Sequence, residues 1–392
     1  MMTILIFLLI LGTLVLVHEL GHFIVARRNG VVAEEFGFGF PPRIIGTYKD
    51  RQGKRRWVFG NKEIENEIKE REETVYSINL IPLGGFVKIK GEDGGDKQDQ
   101  DSFAAKSVWV RFKILAAGVA MNFLLGIFLL TIAFWIGLPE LVDDQTNDPA
   151  ARIQIAQVMP GSPAEQAGIS LGDEILAVGM IGQEGMPVQT IKQFQDTVSS
   201  NAGKTIDITV KKAGSGNIEI VKATPREIAP EGQGLLGVQL ARTKFVSYPL
   251  GKSFLLAVEA TVNLITAILV FLKDFFVQLV SEQKVAADVA GPVGIAVLTG
   301  QAAKLGLAYI LQFAAMLSIN LAVINFFPFP ALDGGRIIFL WVEKLKGSPV
   351  SQKVEGMVHA FGFIFLISLM LLVTVKDFRS LNLLSKIKDL FM

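Results

Sequence analysis

Four long apolar segments restrict this chain to folds that can exist in a lipid bilayer. A helix needs about 20 apolar residues to cross the hydrocarbon core, and segments of about that length cover residues 2–26, 114–137, 305–327 and 357–375. Hydrophobic residues make up 51% of the 392 positions, and the mean hydropathy is +0.44. We therefore predict a polytopic α-helical membrane protein with about four transmembrane helices.

A fifth apolar region, residues 251–280, differs from these four because polar side chains recur along it. They fall at helical spacing on one face: Lys252, Glu259, Asn263, Asp274 and Gln278. We interpret residues 245–285 as an amphipathic helix that lies on or against the membrane. The alternative is a fifth transmembrane helix, which would place the C-terminal tail on the opposite side of the membrane.

Loop charge predicts the orientation, because Lys and Arg are enriched in cytoplasmic loops. One basic cluster follows the first span: Arg27, Arg28, Arg43, Lys49, Arg51, Lys54, Arg55 and Arg56. Another separates the last two spans: Arg336, Lys344, Lys346 and Lys353. Both loops should be cytoplasmic, and the region between spans two and three extracytoplasmic. The basic tail disagrees with four spans, but C-terminal charges are weaker determinants. Without a basic n-region or a cleavage site, we expect the first segment to be retained.

The region between spans two and three reads as an inserted β-rich domain. Alternating runs such as "KTIDITVKK" are separated by Gly and Pro turns, and the acidic linker "PELVDDQTNDPA" leads into them. The stretch "VMPGSPAEQAGISLGDEILAVGM" resembles bacterial PDZ domains, so we place a PDZ-like domain at residues 150–240. PDZ domains bind a peptide by strand addition, and "GQGLLGV" is a candidate loop for its carboxylate. The alternative is a packed domain without a ligand.

"HELGH" at residues 18–22 carries the metal chemistry. The chain has no cysteine and three histidines, so any zinc site must use His, Asp or Glu. His18 and His22 are one helical turn apart and can hold one zinc ion, with Glu19 beside them to act on a water molecule. The alternative is a pair of pore-facing or interfacial histidines.

A catalytic zinc ion usually has three protein ligands and one open position, so a third ligand is needed. Asp333 in "NFFPFPALDGGR" is the preferred candidate, because it ends the third span at the cytoplasmic depth predicted for the histidines. His359 is an alternative, although a lone histidine at the end of a span is more often interfacial. We rank three carboxylates as peripheral: Glu259, Asp274 and Asp288.

"HELGH", "IPLGGFVKIKGE", the PDZ-like insert and "NFFPFPALDGG" together resemble the bacterial site-2 proteases of the RseP type over nearly the whole chain. The resemblance implies an intramembrane zinc metalloprotease, with one zinc ion on His18, His22 and Asp333 and with Glu19 as general base. It also implies that Asn325 contacts the substrate backbone or the developing oxyanion. Packing between helices is the alternative role for this Asn.

Residues 75–90 resemble the membrane re-entrant β-loop of that family. Backbone exposed to lipid must be hydrogen-bonded, so we expect this segment to pair with itself as a β-hairpin. Its edge, at Gly84, Gly85, Phe86 and Val87, would bind an unwound substrate strand. The alternative is an ordinary amphipathic hairpin. The charged stretch 49–73 should be a solvated excursion.

These predictions divide the chain into eight segments. The first half holds a first helix (1–28), a cytoplasmic loop (29–112), a second helix (113–138) and the insert (150–240). The second half holds the amphipathic helix (245–285), the third helix (305–335), the fourth helix (356–376) and a tail (377–392). We expect a bacterial inner-membrane protein that cuts single-span proteins near the cytoplasmic side. By resemblance its substrates are anti-sigma factors or signal-peptide remnants. We expect a monomer, and with a net charge of +1, no nucleic-acid partner. A peptide-binding scaffold and a metal transporter are the competing functions.

Overall fold

A computed structural model describes residues 2–50, 52–60, 73–146, 148–183, 185–281 and 290–380. Asp288, most of the charged stretch 49–73 and the tail beyond residue 380 lie outside the described residues. The chain divides into two compact units. The first contains residues 1–131, 254–300 and 312–392, and the second contains residues 132–253 and 301–311.

The described residues form nine α-helices and ten β-strands. The helices are α1 (Met2–Arg28), α2 (Val108–Ile136), α3 (Pro163–Gln166), α4 (Ile191–Ser200), α5 (Leu250–Ser281), α6 (Pro292–Leu305), α7 (Leu307–Phe326), α8 (Asp333–Lys346) and α9 (Gln352–Ser380). The strands are β1 (Ala33–Lys49), β2 (Arg55–Phe59), β3 (Val75–Ile89), β4 (Leu138–Leu141), β5 (Arg152–Val158), β6 (Glu174–Met180), β7 (Met186–Pro187), β8 (Ile206–Lys211), β9 (Ile218–Ala223) and β10 (Val238–Val246).

Five of the described helices are long and apolar enough to cross a membrane: α1, α2, α5, α7 and α9. The chain is therefore a membrane protein with several apolar helices, as predicted. The predicted number of four is not confirmed, because α5 also meets the criteria of length and composition. The hydropathy within Leu250–Gln278 reaches 2.2, because its polar positions are too sparse to lower the value below that of a span.

Small residues let α1, α2 and α7 approach one another closely in the first unit. A Cβ atom on Gly21 would collide with the backbone carbonyl of Ala117, and one on Gly126 would lie 2.6 Å from the Ile319 side chain. The Ser318 hydroxyl donates to the backbone carbonyl of Asn122 at 2.8 Å. Close backbone approach and a buried hydrogen bond are how helices associate where lipid removes the hydrophobic drive.

Helix α1 ends in a hydrogen-bonded turn that its sequence specifies. Gly30 has a φ of +64°, its N–H donates to Arg27, and the N–H of Val31 donates to Ala26. This Schellman arrangement satisfies the last carbonyls of the helix. It turns the chain directly into β1, beside the histidine-bearing end of α1.

The first unit also contains a curled antiparallel sheet in the order β2-β1-β3. Both long strands fold over, so residues 35–38 pair with residues 75–78 on one side and with residues 85–88 on the other. The segment predicted to pair with itself therefore pairs with β1 instead. Gly37 permits this approach, since a Cβ atom there would lie 2.5 Å from Ser77 Oγ. Within the described part of the chain, no further strand pairs with the outer side of residues 85–89.

The second unit is the predicted β-rich insert. Its strands follow the order β4-β10-β5-β6-β8-β9, with β7 paired to β6, and its core includes Ile155, Val178, Ile206 and Ile208, each at most 1% exposed. The alternation of apolar and polar residues along β8 explains this burial, because successive side chains point to opposite faces. The sheet confirms a β-rich domain, while its assignment as a PDZ domain stays a prediction.

The acidic linker before this domain is fixed to it. The buried Arg242 guanidinium donates to the carbonyls of Asp143 at 2.9 Å and Thr146 at 2.6 Å. The Asp144 carboxylate accepts from the first N–H group of α4 at 2.7 Å. Lys244 Nζ lies 2.9 Å from Asp148 Oδ2, and this hydrogen bond lowers the pKa of Asp148. The domain therefore begins before residue 150, where we predicted its boundary.

Candidate metal centre

His18, His22 and Asp333 converge at one point in the first unit. His18 Nε2 lies 3.0 Å from Asp333 Oδ2, and His22 Nε2 lies 3.4 Å from the same oxygen. The two histidine Nε2 atoms are 3.2 Å apart. Both imidazoles are buried, at 6% and 7% exposure. Within the described ranges this is the group of three potential ligands that could hold a metal ion.

Helix α2 orients the His22 ring. His22 Nδ1–H donates to the backbone carbonyl of Ile114 at 2.8 Å, so Nε2 is left as the lone-pair donor. A metal-ligating histidine commonly makes such a bond, which fixes both its tautomer and its ring orientation. The contact also explains why α1 and α2 must pack tightly at this level.

Gly118 on α2 provides the space for both imidazoles. A Cβ atom at this position would collide with His22 and lie 2.8 Å from His18 Cε1. The contribution of Gly118 was not predicted from the sequence. The signal was a glycine inside an apolar helix, where it costs roughly 1 kcal/mol of helix propensity relative to alanine and so indicates a packing requirement.

Asn122, one turn further along α2, was also missed. It is fully buried, and its Nδ2 lies 3.2 Å from His18 Nδ1, while its Oδ1 has no hydrogen-bond partner. Turning the amide by 180° exchanges the two atoms in the same space. Oδ1 then accepts from His18 Nδ1–H, and His18 Nε2 is left with the free lone pair that a metal ligand needs.

Glu19 lies between the two histidines in sequence, and its side chain is partly exposed. It interacts electrostatically with His22, His18 and Asp333. Among the residues described, no hydrogen-bond donor contacts its carboxylate. A carboxylate in this position is free to bind a water molecule beside the three candidate ligands.

Asp333 reaches the histidines because the third span is broken. We predicted a segment over residues 305–335, but α7 ends at Phe326, and Pro328 and Pro330 prevent helix from continuing. Asp333 then opens α8. The next residue must be glycine, since a Cβ atom on Gly334 would collide with the carbonyl of Phe327. The proline and glycine residues thus fold the start of α8 back onto the end of α7.

The other predicted residues take distinct positions. Asn325, in the last turn of α7, has its Nδ2 3.4 Å from His18 Nε2, so its amide borders the three ligands. His359 lies outside the group: its Nδ1 accepts from the N–H of Ala331 at 2.9 Å, which braces the loop before Asp333. Glu259 and Asp274 are also outside the group.

The edge of the curled sheet lies against α1 next to this site. A Cβ atom on Gly84 would lie 2.7 Å from Val15 Cβ, and one on Gly85 would lie 3.0 Å from Leu16 Cα. Gly84 has a φ of +132°, a conformation that glycine adopts readily. The predicted residues Gly84, Gly85, Phe86 and Val87 therefore start within one helical turn of His18 along α1.

The donor set suits zinc. Two imidazole nitrogens and one carboxylate oxygen make three protein ligands, which leaves one position open, as in catalytic zinc sites. The orphaned Asn122 oxygen and the Ile114 carbonyl provide the outer hydrogen bonds that such ligands require.

Comparison with known proteins gives a consistent result. The sequence model of the protein family described as "Peptidase family M50" matches residues 6–59 and 58–369 of this chain. The "Regulator of sigma-W protease RasP" of Bacillus subtilis (strain 168) is 30% identical over 466 residues, covering 97% of this chain and 99% of that protein. A Clostridium perfringens protein whose name describes a zinc metalloprotease is 33% identical, covering 94% and 96%. The "Zinc metalloprotease RasP" of Geobacillus kaustophilus is 27% identical, covering 95% and 97%.

Proposed function

Since the chain belongs to peptidase family M50 and is a membrane metalloprotease of the site-2 type, we propose that it hydrolyses peptide bonds in or beside the transmembrane segments of single-span proteins. The observation that carries this proposal is the convergence of His18 with Asp333, 315 residues later. A chain has no reason to bury two imidazoles and a carboxylate among apolar helices unless they act together.

We assign His18, His22 and Asp333 as the ligands of one zinc ion. When bound, zinc acts as a Lewis acid that lowers the pKa of the attacking water toward about 7. The protein supplies the orientation of each ligand: the Ile114 carbonyl holds His22, Asn122 holds His18, and the first turn of α8 holds Asp333. This preorganisation means that the donors need not rearrange during the reaction.

Glu19 is the proposed general base. It takes a proton from the attacking water and then gives it to the nitrogen of the departing amine, so that the C–N bond breaks as a neutral amine leaves. The Asn325 amide donates to the carbonyl oxygen of the scissile bond as negative charge develops on it. One such donor is worth roughly 10²–10³-fold in rate.

The edge at residues 84–87 is the proposed substrate-binding strand. A helical substrate has its carbonyls bonded within the helix, so the scissile segment must unwind before water can attack. Unwound backbone in lipid needs hydrogen-bond partners, and the open edge beside Val15 offers them within one helical turn of His18 along α1.

We further propose that the site opens toward the cytoplasm of a bacterial inner membrane, that the β-rich domain is an extracytoplasmic PDZ domain, and that the enzyme acts as a monomer. Anti-sigma factors and signal-peptide remnants are the proposed substrates. The name of the Bacillus subtilis relative, a regulator of sigma-W protease, supports anti-sigma factors as substrates.

The test is cleavage of a tagged single-span substrate by the purified chain in membranes, with zinc content measured on each sample. Glu19→Gln should keep zinc and lose about 10²–10⁴-fold in rate. Asp333→Ala should lose both zinc and cleavage. Glu259→Gln, an exposed carboxylate on α5, is the matched control and should cut like the wild type.

Two results would overturn the proposal. Equal cutting by Glu19→Gln would exclude Glu19 as the base. Full zinc occupancy in Asp333→Ala would exclude Asp333 as a ligand.

A further inference from the structure

A groove between α1 and α2 opens on the side of α1 away from the substrate edge. It has a volume of about 540 Å³, and its walls are almost wholly apolar. Its walls include Gly21, Ile24, Val25, Ala117 and Ala120. The small residues that bring the two helices together also leave this groove open beside them.

Two cations lie at one end of the groove. Arg28 is the last residue of α1, and Lys113 is in the second turn of α2. Both are exposed, and neither pairs with a carboxylate in the part of the chain that the structure describes. The two helices are antiparallel, since His22 contacts Ile114 whereas the earlier His18 contacts the later Asn122. Both cations therefore lie where α1 ends and α2 begins.

Aromatic residues mark the same end as a membrane interface. Trp109 on α2 packs edge-on against Phe112 and Trp341 with ring centroids 5.9 and 6.0 Å away, and Lys344 Nζ lies 4.2 Å from the Trp109 ring. Trp109 and Trp341 are 52% and 44% exposed. Amphipathic rings of this kind lie at the depth of lipid headgroups. Lys113 is one turn deeper, and its long side chain is able to extend back to the level of the phosphates.

We propose that this groove binds an anionic phospholipid, with its phosphate on Arg28 and Lys113 and one acyl chain along Ile24, Ala117 and Ala120. Basic pockets between transmembrane helices recognise acidic headgroups. A substrate helix fits this groove poorly, because the cytoplasmic flanks of such helices are themselves basic. A second copy of this chain would bring the same two cations and be repelled.

The lipid and the substrate strand occupy different sides of α1. Nine residues, about two and a half turns, separate Val15 from Ile24 and Leu16 from Val25. The groove therefore faces away from the edge at residues 84–87. A bound lipid would instead stabilise the contact between Gly21 and Ala117. Gly21 directly precedes the ligand His22, and Ala117 directly precedes Gly118.

The experiment measures lipid retained by the purified full chain in mild detergent, by native mass spectrometry, after incubation with phosphatidylglycerol or phosphatidylcholine of the same acyl chains. We expect about a 25-fold preference for phosphatidylglycerol, which corresponds to roughly 1 kcal/mol from each cation at 1.4 kcal/mol per tenfold. Excess inorganic phosphate should not displace the lipid, because the acyl chain contributes to binding.

Three variants locate the site. The double variant Arg28→Gln/Lys113→Gln should lose the preference, and Ala120→Phe should lower retention of both lipids by filling the groove. Lys346→Gln/Lys353→Gln removes the same charge from exposed positions elsewhere on the chain and should behave like the wild type. Equal retention of the two lipids by the wild type, or an undiminished preference in the Arg28/Lys113 variant, would overturn the proposal. Because the readout is binding, failure of the proteolytic mechanism would leave this test unaffected.

Discussion

Gly118 on α2 lies directly against the His22 imidazole, so closely that a single added methyl group would collide with the ring. The neighbouring helix thus takes part in forming the metal site although it supplies no ligand. The relationship makes the α1–α2 packing, as well as the HELGH motif, a requirement for metal binding.

Gly118→Ala should therefore lower zinc affinity by about 10–100-fold, the range typical of lost supporting contacts. The added Cβ atom displaces both imidazole rings, although the substitution removes none of the three ligand residues. Competition with a zinc chelator measures the effect. Gly356→Ala, a glycine of α9 with open space around its Cβ position, is the control and should retain wild-type affinity.

Asn122→Leu should also lose zinc affinity by about 10–100-fold, because His18 Nδ1–H would lose its acceptor. Asn122→Asp should restore affinity, since a carboxylate oxygen accepts the same hydrogen bond. The zinc affinities of the two variants show whether the Asn122 side chain accepts a hydrogen bond from His18 or donates one to it. An Asp variant as weak as the Leu variant would mean that the Asn122 amide donates to His18 instead.

Asn325→Ala should reduce the cleavage rate by roughly 10²–10³-fold with zinc fully retained, because its amide acts on the developing oxyanion. The rate constant should fall more than the apparent substrate affinity. Loss of folding stability with no specific change in rate would instead support the packing role of this side chain.

Gly84→Ala should weaken substrate binding while zinc remains bound. Its Cβ atom would meet Val15, and a φ of +132° is strained for alanine, so the edge moves away from α1. We expect about a tenfold rise in KM. Gly53→Ala is the control for a strained φ without a collision, since Gly53 has a φ of +73° but open space around it. This variant should leave KM unchanged.

Asp148→Asn should destabilise the β-rich domain at neutral pH but not in acid. Lys244 lowers the pKa of Asp148 in the folded protein, so the contribution is present above the unfolded pKa of 3.8 and is lost as pH falls through the folded value. The difference in Tm between the wild type and the variant should shrink from pH 7 to pH 3. Both side chains are partly exposed, so the effect should be small and salt-sensitive. A constant difference across this range would contradict the assignment.

Local chemistry and periodicity were enough to predict the class of protein. Apolar runs longer than a bilayer crossing must be helical, because backbone groups in lipid need partners, and alternating runs between turns must form strands. HELGH places His18 and His22 on one face by helical geometry alone. We placed the end of the third span too late, because Pro328 and Pro330 stop the helix after Phe326.

Only the tertiary structure decided which distant groups meet. Asp333 reaches the histidines because Gly334 lets α8 fold onto α7; the sequence favoured Asp333 as the third ligand but did not specify this contact. Gly118 and Asn122 were missed, because their importance lies in contacts with another helix. The prediction that residues 75–90 pair with themselves was wrong, because every strand presents the same backbone groups and the sequence does not specify that β3 pairs with β1.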